Sequence, residues 1–151
     1  MAPIPFDFIP EVYLLLSRNG EVLLLKRKNT GYHDGNYGLI AGHKEEHESI
    51  LSGLIREARE EAGLELHPKH LRLVHVLHRS EENERVGFFF VAEHWDGDPI
   101  NMEPEKCEEL RWFPVDRLPE NEIQYIRQAI MCWRAGVPYS DTIGREWQER
   151  G

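Results

Sequence analysis

The chain has 151 residues, 27 acidic against 18 basic side chains, a formal net charge of −9 and two cysteines. Its length suits one domain with a real core and makes a second domain unexpected. The acidity argues against broad contact with a nucleic-acid backbone, which draws on clustered Lys and Arg, and Cys107 and Cys132 lack a Cys-x-x-Cys spacing.

In chain order, residues 1–10 carry no basic cluster ahead of an apolar run, and no apolar stretch approaches the ~18 residues of a membrane helix. A soluble, unexported, cytoplasmic protein with reduced thiols is expected. Residues 12–16 and 21–26 are apolar runs joined across Arg18-Asn19-Gly20, where Asn-Gly signals a hairpin of antiparallel strands. Residues 28–36, with Thr30-Gly31-Tyr32 and Asp34-Gly35, read as a loop, and 37–41 as a short strand. Residues 49–62 contain no proline and space Leu51, Leu54, Ile55, Ala58 and Ala62 as one apolar stripe, predicting an amphipathic helix that stops at Gly63. Residues 71–78 and 85–93, rich in Val, Leu and Phe around the polar turn 80–83, predict a second strand pair. A last strand is expected over 109–113, ended by Pro114, then a helix over 120–135 with Ile123, Ile126, Ile130 and Trp133 on one side. Residues 138–151 read as a loosely held C-terminal tail. His67, His70, His75 and His78 fall on a loop and a strand without zinc spacing, and Trp112 reads as core.

The chemistry concentrates on the helix over 49–62 and the loop before it. Glu57, Glu60 and Glu61 stand at i, i+3 and i+4, which puts three carboxylates within a turn on one face. Left alone they repel, by roughly 0.2–0.5 kcal/mol per pair, and a divalent cation would reverse the sign. Oxygen-only ligands suit a hard ion, so Mg²⁺, or Mn²⁺, is the expected cofactor. Arg56 precedes this face, and its planar fork suits holding Glu48 or a catalytic glutamate in position. Gly42 lets the backbone approach a ligand, and Glu45 and Glu46 add negative charge beside it. An acidic helix face by itself is ordinarily just solvated.

Gly42, Glu48, Arg56, Glu57, Glu60, Glu61 and Gly63 nevertheless fall at fixed offsets: glycine, five residues, Glu, seven residues, Arg-Glu, apolar, one residue, Glu-Glu, one residue, glycine, apolar. Chance agreement has odds on the order of 10⁻⁹ per starting position. Through this box the chain resembles the Nudix hydrolase family. The resemblance implies an α+β fold, an α/β/α sandwich with a central mixed sheet, as a single domain over 1–151 with its core at about 8–137. It implies metal-dependent hydrolysis of a pyrophosphate bond in a small-molecule nucleotide. It implies Glu57, Glu60, Glu61 and the carbonyl of Gly42 as metal ligands, Glu60 as ligand and base, Arg56 as positioner, and Gly42 and Glu45 at the substrate. Two positions depart from the common pattern: Ile40, where proline is frequent, and His47, where glycine is frequent.

Glu103-Pro104-Glu105-Lys106-Cys107 ahead of Trp112 is similar to a segment of MutT-like enzymes, in which a late acidic residue reaches the metal; Glu108 or Glu109 is the expected counterpart. The proline of ADP-ribose hydrolases and the tyrosine of diadenosine polyphosphate enzymes are both missing near residues 78–83. The resemblance therefore points first to a (deoxy)nucleoside triphosphate, released as monophosphate and pyrophosphate. ADP-sugar or dinucleotide polyphosphate hydrolysis and a non-catalytic nucleotide-sensing module are the alternatives. A homodimer is compatible with the sequence, which does not specify it.

Overall fold

The computed structural model describes residues 6–143. Its central strand, β1 (Ile9–Arg18), is apolar on both faces, as a strand between two layers must be. Val12, Leu14 and Leu16 enter one core while Tyr13 and Leu15 enter the other. Asn19 and Gly20 follow with φ of 50° and 76°, the two left-handed residues that a tight hairpin turn needs. β2 (Glu21–Arg27) then pairs with β1 only at Ser17↔Val22 and Arg18↔Glu21 before the strands part.

The parting explains a departure from the expected strand over 37–41. β3 (Tyr37–Gly38) pairs with β2, whereas β4 (Ile40–His43) pairs with β1, so Leu39 marks the change of partner. After helix α1 (Ile50–Ala62) come β5 (Leu71–Ser80) and β6 (Glu84–Ala92), the expected antiparallel pair. β6 lies parallel to β1, and β7 (Cys107–Pro114) joins the far side of β2. Helix α2 (Gln124–Ala135) and β8 (Tyr139–Asp141) complete the chain. The sheet runs β3-β2-β1-β6-β5-β8, with β4 on β1 and β7 on β2, and is mixed.

The helices close the two faces. From α1, Leu54, Ala58 and Ala62 pack on Val12, Leu14, Leu16 and Ile40; from α2, Ile126, Ala129 and Ile130 pack on Tyr13, Leu15, Leu24 and Phe89. The result is the expected α/β/α sandwich. Ser49 caps α1, its Oγ accepting the amide of Ser52 at 3.0 Å, an interaction worth about 1 kcal/mol. Gly63 ends the helix at φ 64°, returning its N–H to Arg59. Among the described residues no helix is long and apolar enough to cross a membrane. Cys107 and Cys132 are both buried.

Two expectations are corrected. α2 begins at Gln124 rather than at residue 120, because Tyr37 claims the backbone there: its N–H donates to Asn121 and its carbonyl accepts from Ile123 at 2.8 Å. The tail is not loose over residues 139–141, which form β8 parallel to β5. Ser140 is buried and its Oγ meets Nε2 of His75 at 2.8 Å and Nε2 of Gln128 at 2.9 Å. Three residues offer no periodicity to read, and their partners lie far away in sequence. The part of the expected tail from 144 onward lies outside the described residues.

Glu122 carries a testable cost. Its carboxyl is buried, neither oxygen has a hydrogen-bond donor, and Arg127 stands off at 3.8 Å. Burial pushes its pKa up to about 7, against the weaker pull of Arg127. Stability from this group is full below the ordinary carboxylate value and is lost as pH rises through about 7, where the native state must ionise too. Glu122→Gln is expected to gain about 3 kcal/mol relative to the parent between pH 4 and 8. Urea unfolding of both proteins across that range measures it; parallel stability curves would contradict it.

Candidate active site

α1 turns its acidic side toward β4, and β4 is built to receive it. The amide of Ala41 donates to Oε2 of Glu61 at 3.0 Å. A Cβ on Gly42 would collide with the carboxyl of Glu57 and come within 2.7 Å of its Cγ, so only glycine lets Glu57 lie against this backbone. The loop before α1 keeps a left-handed turn at His47, φ 65°, the conformation that glycine accepts at that box position. Ile40, the other departure, is buried beneath α1 and pairs with Leu14.

Arg56 organises the carboxylates. Its Nε and Nη2 grip both oxygens of Glu48 at 3.2 and 2.9 Å, and Nη2 also reaches the carbonyl of His43 at 3.1 Å. Nη1 donates to Glu57 at 2.9 Å and Glu60 at 3.2 Å and stands 3.5 Å from Glu45. The guanidinium and the amide of Glu45 hold the carboxyl of Glu48 below its usual range. Burial raises Glu57 despite Arg56. Burial also pushes Glu61 up to about 8, with the charges of Glu57 and Glu103 adding to it and the Ala41 amide opposing.

A cleft of about 640 Å³ is lined by Gly42, Glu57, Glu60 and Glu61 together with Glu103, while Arg56 and Glu48 are not among its lining residues. Farther along it lie Glu11, Arg79 and Arg85, at the ends of β1, β5 and β6. Of the residues singled out from sequence, Glu45 does not line the cleft; it is an exposed partner of Arg56. Glu108 and Glu109 do not reach it either. Both sit in β7, where Glu108 faces Lys26 at 3.3 Å and Glu109 accepts the hydroxyl of Tyr37.

Glu103 is the late acidic residue that the cleft contains. The amides of Ile100 and Met102 donate to the carbonyls of Ala62 and Glu61 at the end of α1, which draws the following residue to the carboxylates. Asn101 secures the turn, accepting the Glu103 amide at 3.1 Å and donating to the carbonyl of Cys107 at 2.8 Å. Asn two residues before Glu is the one local signal for this turn. Trp112 belongs to the core, stacked on Trp95 at 6.0 Å. His75 and His78 are likewise structural, bonded to Val137 and Ser140 and to Glu84.

The donor set fits a hard divalent ion: it is all oxygen, is rich in carboxylates, and includes Glu61, which burial and then neighbouring charge push up to about 8. Among the described residues no three acidic, His or Cys side chains are already gathered around one point. Glu57 and Glu60 face Arg56 while Glu61 faces Ala41, so coordination requires them to turn from these partners.

A glycine loop and an acidic helix at the edge of a mixed sheet, sandwiched between two helices, define the class of enzyme. The NUDIX domain family matches residues 9–133, and the chain belongs to this family of hydrolases. The NAD-capped RNA hydrolase NudC of Stutzerimonas stutzeri is 30% identical over 134 residues, covering 85% of this chain and 46% of that protein. NudC of Pseudomonas putida KT2440 is 32% identical over 111 residues, 73% of this chain and 38% of that one. The chain thus spans about half the length, or less, of these curated relatives. Among solved structures, a MutT NUDIX hydrolase from Burkholderia pseudomallei is 27% identical with a TM-score of 0.76, over 83% of this chain and 97% of that one. A MutT protein from Methanosarcina mazei Go1 shares the fold at 22% identity and TM-score 0.75, covering 88% and 97%.

Arg56→Lys keeps the charge and removes the fork. It is expected to lower stability by about 1–3 kcal/mol, since a single ammonium cannot hold Glu48 by both oxygens while reaching Glu57. Chemical denaturation of the two proteins decides it, and an unchanged midpoint would show that the clamp does not hold the loop.

Proposed function

We propose that this chain hydrolyses a pyrophosphate bond in a nucleoside diphosphate-linked substrate, with Mg²⁺ or Mn²⁺ held by Glu57, Glu61 and the carbonyl of Gly42. The observation that carries the reading is that Glu57, Glu61 and Glu103 line one cleft, with Glu57 lying against Gly42 where a Cβ would collide with its carboxyl. Glu103 replaces Glu108 and Glu109 as the further ligand. When bound, such an ion polarises phosphoryl oxygens and lowers the pKa of a water. Glu60, half exposed and bonded to Arg56, is the residue to orient that water and take its proton. Arg56 positions Glu57 and Glu60 and does not touch the substrate. Hydrolysis then breaks one phosphorus–oxygen bond of the bridge and leaves two phosphates.

A (deoxy)nucleoside triphosphate, yielding monophosphate and pyrophosphate, is the substrate class we assign. The missing markers of the other subclasses and the MutT neighbour support it. A second reading, a dinucleotide joined through pyrophosphate, is favoured by the curated relatives, which act on NAD-capped RNA. The net charge of −9 argues against the RNA body as a major contact, so the cap-like dinucleotide itself is the form to test.

Turnover of the NTPs, dNTPs, NAD⁺ and ADP-sugars with Mg²⁺ or Mn²⁺, with products separated and ¹⁸O-water locating the attacked phosphorus, distinguishes these. Release of monophosphate and pyrophosphate from triphosphates is expected, with Glu60→Gln and Glu61→Gln slower by at least about a hundredfold. Cleavage of NAD⁺ alone would favour the second reading. Folded protein inert on the whole panel with either metal would reject catalysis, and with it leave nucleotide sensing.

A further inference from the structure

Arg56 is spent on glutamates and does not itself line the cleft. The arginines and lysines that do are Arg27, Arg79, Arg85 and Lys106. Arg27 lies over the ring of Tyr32 and donates Nε to that residue's carbonyl at 2.7 Å. Lys106 is exposed on a turn, with no acceptor fixing it among the described residues. Arg79 is fully engaged: its guanidinium lies 4.0 Å from the ring centroid of Tyr125, Nη2 donates to Glu11 at 2.8 Å, and Nη1 reaches the Tyr32 hydroxyl and Glu81.

Arg85, like Arg27, commits one guanidinium nitrogen, but it is held by a buried carboxylate instead of a loop carbonyl. Only its Nη1 is committed, to Oε2 of Glu11 at 3.0 Å and to Nε2 of His43 at 3.1 Å, while its Nε is enclosed without any acceptor among the described residues. It is also placed at a cost. Arg79 and Arg85 are direct cross-strand partners in the β5–β6 pair, and like charges opposite one another destabilise a sheet. Glu11, buried at 6% exposure, offsets this by giving one oxygen to each arginine while also accepting the Tyr13 hydroxyl. Glu81 pairs with Arg79 as well, at 2.6 Å, so the two arginines stand against two carboxylates and Arg85 shares Glu11.

Arg85 has a defined place along the cleft. Its Nη1 meets the side chain of His43, the residue after Gly42, and Gly42 is where Glu57 lies against the backbone. On its other side stands Arg79, with Tyr32 and Tyr125 around it. Arg85 therefore lies between the acidic end of the cleft and its aromatic end.

We propose that Arg85 is a specificity-determining residue that takes an anionic phosphate oxygen on the nucleoside side of the scissile bridge, with Glu11 and Arg79 as the positioning residues that hold its fork. This rests on the hydrolase reading above for the direction of the substrate. Nη2 is the donor left for a phosphate, Nε being enclosed, and a fork pinned at one nitrogen by a buried carboxylate loses little freedom on binding. Selectivity follows: a nucleoside monophosphate unit is held, and a neutral nucleoside is not.

Arg85→Gln and Arg85→Lys in the full chain test it by two independent readouts. In steady-state kinetics on the triphosphate that the wild type turns over best, Arg85→Gln is expected to raise KM about tenfold or more with kcat changed less than about threefold, and Arg85→Lys to fall between. Without metal, the four nucleoside 5′-monophosphates are expected to raise the wild-type melting temperature, more than the nucleosides do, and to lose that excess in Arg85→Gln. Equal KM and equal monophosphate shifts in a folded Arg85→Gln protein overturn the assignment. A wild type that turns over nothing yet shows a monophosphate shift abolished by Arg85→Gln supports it, and only the hydrolase reading then falls. Should Arg85→Gln fail to fold, a folded Arg85→Lys indistinguishable from wild type in both readouts overturns the assignment.

Discussion

A guanidinium set among four carboxylates is what allows the acidic end of α1 to exist in folded form. Glu57, Glu60 and Glu61 lie within one turn, and Glu45 and Glu48 approach from the loop. Each would repel the others, and two are drawn partly out of water. Arg56 meets the repulsion by reaching Glu45, Glu48, Glu57 and Glu60 with one planar group, while its bond to the carbonyl of His43 ties the cluster to β4. Glu61 lies outside this reach, and burial pushes it up to about 8. The protein alone leaves the charge balance of the site incomplete, in the manner of a site completed by a hard cation.

The same economy of placement runs through the sheet. β1 feeds both cores with five consecutive side chains, Val12 to Leu16, and its starting end carries Glu11 beside β4 and β6. Because β2 parts from β1 after two paired residues, the edge of β1 is left to β4, and β4 carries Gly42 and His43 to the start of α1. The cleft thus gathers the acidic helix and the arginine pair of β5 and β6 around strand ends whose positions the two cores already hold. A packing error of one residue in β1 would exchange its two faces and scatter both groups.

Much of this was legible in the residues. The amphipathic stripe, the Ser and Gly at its ends and the glutamates at i, i+3 and i+4 are local patterns, and a helix enforces their neighbourhood whatever surrounds it. The Asn19-Gly20 hairpin and the β5–β6 pair were readable for the same reason. The division of 37–41 between β2 and β1, the late start of α2 and the pairing of β8 were not, since each depends on which distant strand offers a free backbone. His47, at a box position where glycine is frequent, itself adopts the left-handed conformation, φ 65°, which its residue type does not announce.

The acidic helix, its clamp and its glycine were thus settled by chain chemistry alone, because their contacts span at most a few turns of local backbone. Which later glutamate joins them was decided only on folding. Glu108 and Glu109 stand nearer the tryptophan strand, but strand pairing with β2 directs them elsewhere, and the amides of Ile100 and Met102, bonded to the last carbonyls of α1, bring Glu103 in instead. The arginine pair over Glu11 was equally invisible beforehand. Its members are separated in sequence by a turn and from their counter-ion by most of the domain, and only sheet register makes them neighbours.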